Sequence, residues 1–198
     1  MKPLFAFGLL ALGLLAGCAS SPPPPDWKMN TVSLLEHYQI RWLEGDSTAA
    51  QLALDKSRRE LSKTGRLDLL ARLELAVCGT RAAALDFTPC TAYSAVAGEA
   101  EPAERAYVQF LSGDWTPMDS ARLPAHYQRL VQAKDMTQAD QALTEMAQPL
   151  PRLIGAGILF KQGRATPATL AAAVETASSQ GWRRPRGPRI AYAEGAPS

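Results

Sequence analysis

From Trp27 onward, apolar residues recur at three- and four-residue intervals, the period of an amphipathic helix. Leu34, Leu35, Tyr38 and Trp42 form the first stripe, with Asn30 or Thr31 as its cap and Gly45 as its stop. Ala49, Ala50, Ala53, Leu54 and Leu61 form a second before Gly65. The cleanest stripe, Leu69, Leu70, Leu73, Ala76 and Val77, runs up to Cys78-Gly79. Thr88-Pro89 reads as a cap followed by a first-turn proline, opening a short helix through Tyr93 and Val96 to Gly98. Pro102 opens the next, where Ala103, Ala106, Tyr107, Phe110 and Leu111 share a face before Gly113, and Trp115 and Pro117 then mark a turn.

The second half follows the same rule. Leu123, Tyr127, Leu130 and Val131 make one stripe, and Thr137 to Asp140 resembles a capping box ahead of Ala139, Ala142, Leu143 and Met146. Pro149 and Pro151 interrupt the chain before Leu153, Ile154, Gly157 and Ile158. Thr166-Pro167 caps a last helix carrying Leu170, Ala173, Val174 and Ala177, which Gly181 stops. Brief Gly or Pro connections between short helices imply antiparallel neighbours, so the fold class is all-α. Abundant alanine and leucine agree with that reading. "RWLEGDSTAAQLAL" and "LFKQGRATPATLAAA" each place a bulky aromatic residue three positions before a glycine and small residues after it. This resembles part of a tetratricopeptide-type hairpin, in which the glycine lets two helices approach closely; the full repeat pattern and period are absent. An irregular helical bundle and a short tetratricopeptide-like array both remain open.

The amino-terminal segment changes the picture of where this array sits. Lys2 precedes an apolar run, Leu4 to Leu15, of about 12 residues, too short to cross a bilayer but suited to a secretory signal. Leu15-Ala16-Gly17-Cys18 resembles the lipobox of bacterial lipoproteins. The resemblance implies a signal peptide over 1–17, acylation of Cys18 and a membrane hold through its lipid chains. With Ala19 and Ser20 after the cysteine, the same resemblance implies the outer membrane, periplasmic face. Residues 18–29 read as a lipidated tether, its four consecutive prolines favouring an extended rod. Residues 30–181 read as the helical domain, and 182–198 as an Arg-, Pro- and Gly-rich tail.

Charge and cysteine content narrow the chemistry. The formal net charge of +2 approaches neutrality once Lys2 is removed, so no global field draws the chain to nucleic acid. Cys78 and Cys90 remain as an even pair in an oxidising compartment and are expected to form a disulfide. No CxxC, HExxH, G-x-S-x-G or phosphate-cradling loop occurs, so no catalytic residue, metal ligand or cofactor is assigned. His37 and His126 each sit beside aromatic or apolar neighbours and read as surface or satisfied histidines. "GAG" at Gly155 to Gly157 reads as close helix packing, and Glu99, Glu101 and Glu104 as a charged helix entrance.

Two features point to binding. Arg183, Arg184, Arg186 and Arg189 gather beside Trp182 as a candidate site for phosphate or carboxylate, hence for lipopolysaccharide or peptidoglycan. Trp42, Tyr107, Phe110, Trp115 and Tyr127 are expected mostly in the core, with a groove between helix pairs as a place for a partner peptide. The expected role is an envelope adaptor or accessory factor with a protein partner. Peptidoglycan binding or wall activity, and lipid carriage, are the alternatives.

Overall fold

The computed structural model describes residues 25–185, and those residues form helices and no strand. Cys18, Arg186, Arg189 and the proposed signal peptide lie outside the described residues. The helices are α1 (Asp26–Glu44), α2 (Ser47–Ser62), α3 (Leu67–Ala83), α4 (Thr91–Ser94), α5 (Pro102–Ser112), α6 (Ala125–Gln132), α7 (Met136–Thr144), α8 (Pro149–Lys161) and α9 (Pro167–Ser179).

Local chemistry sets most of the boundaries. Helix α1 starts four residues before the expected cap, because Pro25 leads into Asp26, whose charge suits a first turn, and Trp27 already packs against apolar neighbours. Its first turn therefore uses residues that the sequence pattern assigned to the tether. Gly45 (φ 98°) and Gly163 (φ 69°) end α1 and α8 in the left-handed region. The next residue then donates back across the turn, Asp46 to the Arg41 carbonyl and Arg164 to that of Leu159. Both quoted segments thus build the same helix–glycine–helix corner. No atom lies within 4 Å of a side chain placed at either glycine. The two glycines serve backbone conformation, not the close approach that the tetratricopeptide resemblance implied.

Four other expectations are corrected. Helix α3 passes through Cys78-Gly79 to Ala83, since a Cβ at Gly79 would meet the Tyr107 hydroxyl at 2.6 Å and packing outweighs the helix cost of glycine. Asp135, not Thr137, caps α7 by accepting from the Gln138 amide at 2.9 Å. Pro149 and Pro151 open α8 instead of breaking a helix, because first-turn amides need no intrahelical partner. The Thr88-Pro89 cap does not form either. The Thr88 amide and hydroxyl both donate to Asp86, and α4 begins only after Cys90. Thr166 does cap α9, with Thr169 completing a capping box, and the Thr166 hydroxyl donates to Asp140 of α7 at 2.7 Å.

The core divides at α3. Leu73 and Val77 face Tyr38, Ala50, Ala53, Leu54 and Leu61 of the α1/α2 hairpin. Ala71, Leu75, Cys78 and Ala82 face a larger cluster contributed by α5 to α9. Helix α3 is apolar around most of its circumference, as a helix buried between two layers must be. It crosses α8 at Gly157, where a Cβ would lie 2.3 Å from the Ala82 carbonyl oxygen. Only glycine allows the two backbones to come so close. Pairing of α3 with α8, far apart in sequence, describes an irregular bundle organised around a central pair. Cys78 and Cys90 face each other at bonding distance, with Cα atoms 6.0 Å apart, and fasten the loop after α3 to that helix.

Candidate functional site

Four helices leave an open groove on one side of this bundle. Leu75 and Ala76 of α3, Tyr107 of α5, Tyr127 of α6 and Ile154 of α8 line a depression of about 560 Å³. Arg72, Glu104, Arg122 and His126 bring charge or polarity to it. Its size falls in the range of ligand sites, about 300–1,000 Å³, and its lining is mainly apolar, as such sites require. A second depression of about 370 Å³ adjoins it, lined by Arg129, Glu145, Met146 and Gln148. His126 and Pro151 line both, so the two read as one elongated groove with a saddle between them.

The aromatic wall is built at helical spacing. Tyr107 and Phe110 are one turn apart on α5, their rings 5.9 Å apart. Tyr127 packs between them, 5.9 Å from Tyr107 and 4.4 Å from Phe110, and Trp115 stacks on Phe110 at 5.5 Å. Phe110 is fully buried, while the Tyr107 side chain reaches the groove. The Tyr107 hydroxyl fits against Gly79, and its ring stacks on that of Tyr127. Burial pushes the Tyr107 hydroxyl up to about 12 and that of Tyr127 well above its ordinary value. Both therefore stay neutral and act as rigid walls. Trp42 belongs elsewhere, stacked on Tyr38 at 6.1 Å in the hairpin.

Glu104 is the unusual group. It occupies the third position of α5, where an acidic charge is favoured by the exposed amides of the first turn. Unlike Glu99 and Glu101, which are exposed as a charged helix entrance should be, Glu104 is 6% exposed. Arg72 of α3 donates to its Oε1 at 2.7 Å and lies 3.7 Å from Glu101. The other oxygen, Oε2, is buried and has no hydrogen-bond partner among the described residues. At the far rim, Arg122 pairs with Asp119 at 2.9 Å, and Arg129 pairs with Glu145. His126 meets Tyr127 edge-on at 4.2 Å, and burial lowers its pKa below the ordinary imidazole value.

The arginine tail is divided. Arg184 folds back onto the end of α1: its Nε donates to the Trp42 carbonyl at 2.6 Å, and its Nη2 to the Ser47 hydroxyl at 2.6 Å. The guanidinium stands 4.0 Å from the Trp42 ring centroid. The Arg184 amide also donates to the Leu43 carbonyl at 2.9 Å, adding to the partners that Gly45 and Asp46 already give the end of α1. Trp182 is buried and Arg183 exposed. Of the two arginines among the described residues, Arg184 is already in use on α1 and Ser47. His37 is exposed on α1 and accepts from Arg41 at 3.1 Å.

The described residues contain no group of three or more His, Cys, Asp or Glu side chains placed to hold a metal ion, and no helix long and apolar enough to cross a membrane. No protein-family model, curated protein or solved structure matches the chain. Sequence reasoning weighed Glu104, His126 and the tyrosines separately and missed Arg72. No local signal links Arg72 to Glu104, because the pair forms only when α5 packs on α3.

Proposed function

We propose that the protein is a lipid-anchored envelope protein, held at Cys18 on the periplasmic face of the outer membrane, whose helical domain works by contact as an adaptor or accessory factor. The observation that carries this reading is the elongated groove, apolar along its floor and punctuated by charged side chains at its edges. That combination suits a partner segment with spaced apolar anchors and polar flanks. The lipobox resemblance at Leu15 to Cys18 supplies the address, and the paired cysteines suit an oxidising compartment.

Crosslinking of the tethered protein in its native envelope, followed by pull-down, tests the proposal. One dominant protein partner that is lost with Cys18→Ala is the expected result. Recovery of peptidoglycan fragments without a protein would overturn it in favour of wall binding. Carriage of a small hydrophobic ligand is the second reading, favoured by the apolar lining; co-purified lipid without a protein partner would support it.

A further inference from the structure

Glu104 carries a recognition feature that the fold does not use. A buried carboxylate accepts several hydrogen bonds when it serves structure alone, and each buried oxygen left empty is costly. Glu74 of α3 meets that standard: Arg58 donates to Oε1 and to Oε2, each at 2.7 Å. Glu104 receives one bond from Arg72, whose own side chain is 58% exposed, and among the described residues its Oε2 receives none. Arg72 is thus a loosely held cation beside a carboxylate at the edge of an aromatic groove. Its long stem can swing into solvent at small cost.

We propose that Glu104 is the docking point for a lysine or arginine side chain of the partner, with Arg72 holding the place until the partner's cation displaces it. This deepens the adaptor reading and rests on it. The incoming ammonium or guanidinium takes both oxygens of Glu104 and lies beside the Tyr107 ring, where a cation is favoured. Apolar residues flanking it on the partner cover Leu75, Tyr127 and Ile154. The saddle at His126 and Pro151 carries the segment toward the second depression, so the occupant is an extended or helical peptide instead of a compact metabolite.

The test uses the full chain in lipid nanodiscs and dye-labelled, end-blocked peptides Leu-Ala-X-Ala-Leu, with X as Lys, Arg, Met or Glu, read by fluorescence anisotropy. The Lys and Arg peptides are expected to bind about tenfold more tightly than Met, with Glu weakest. Glu104→Gln retains the shape and still accepts from Arg72, so it should bring Lys down to the Met level. Arg72→Gln removes the competing cation and should tighten Lys binding several-fold, an effect of opposite sign that a merely structural pair would not give. Equal binding of all four peptides, preference for Glu, or no binding overturns the proposal, as does weaker Lys binding in folded Arg72→Gln. The envelope pull-down separates this from the adaptor reading: a partner still captured by Glu104→Gln leaves the adaptor standing and removes Glu104 from recognition.

Discussion

The two glutamates buried among the described residues, one in α3 and one packed against it, have opposite surroundings. Glu74 lies in the middle of α3, facing α2, and Arg58 grips both of its oxygens while remaining only 34% exposed itself. Glu104 comes to α3 from α5 at the lip of the groove, and Arg72 reaches one oxygen from a mostly exposed position. One carboxylate has both oxygens satisfied; among the described residues the other is buried with one oxygen left unpaired. A buried ion pair contributes little net stability, so the closed pair is best understood as fixing how α2 sits on α3. The incomplete pair is a poorer stability device than the closed one, and its position beside aromatic walls is what the proposed recognition role rests on.

The change that should affect both interfaces at once is Gly157→Ala. The added Cβ would contact the Ala82 carbonyl oxygen, a backbone atom that cannot rotate away, and α3 would have to move. A loss of about 3 kcal/mol or more is expected, read by urea unfolding of the full chain. Arg58→Met comes next. It removes the guanidinium from a carboxylate that is only 3% exposed and should cost about 3 kcal/mol.

Arg72→Met tests the other side of the comparison. Glu104 keeps the favourable amides of the α5 first turn and gains water from the groove, so the expected cost is about 1 kcal/mol. Equal losses for Arg58→Met and Arg72→Met would erase the distinction drawn between the two sites. The Cys78–Cys90 link sits between these in size: replacing both with serine should cost about 2–3 kcal/mol, and labelling of the unreduced, denatured chain should find neither thiol free.

Much of this arrangement could be read along the chain, and the limit of that reading is physical. Stripes such as Leu69, Leu73 and Val77 report burial directly because helical period depends only on neighbours within two turns. Thr166 as a cap and Gly45 as a helix stop are equally local, so those two roles were legible, whereas the part of Thr169 in the capping box was not singled out. Tertiary contact decided the rest. Gly157, read with Gly155 as a place of close helix packing, is where α8 meets the Ala82 carbonyl, whereas Gly79 looked like a helix stop and only Tyr107 explains its presence inside α3. Glu104 looked like one of three entrance acids because sequence does not show that α3 covers it while leaving Glu99 and Glu101 exposed. Arg184 was grouped with three other arginines by composition, yet its guanidinium is used on Trp42 and Ser47.

The smallest expected effect concerns acid. His126 stands at the saddle, edge-on to Tyr127 and near the pairs Arg72–Glu104, Arg122–Asp119 and Arg129–Glu145. Burial lowers its pKa in the folded chain below the unfolded value of about 6.5. Between those two values the unfolded state binds more protons, so stability rises with pH across that window. Full stability is therefore present above about pH 6.5 and declines as pH falls toward the folded value, after which the His126 contribution is constant. Protonation also adds a cation to the groove, which should weaken binding of the Lys peptide more than that of the Met peptide. Both trends should flatten in His126→Gln when unfolding and anisotropy are measured at about pH 7.5 and about pH 5.5. An undiminished acid response in His126→Gln would place the sensitive group away from the groove.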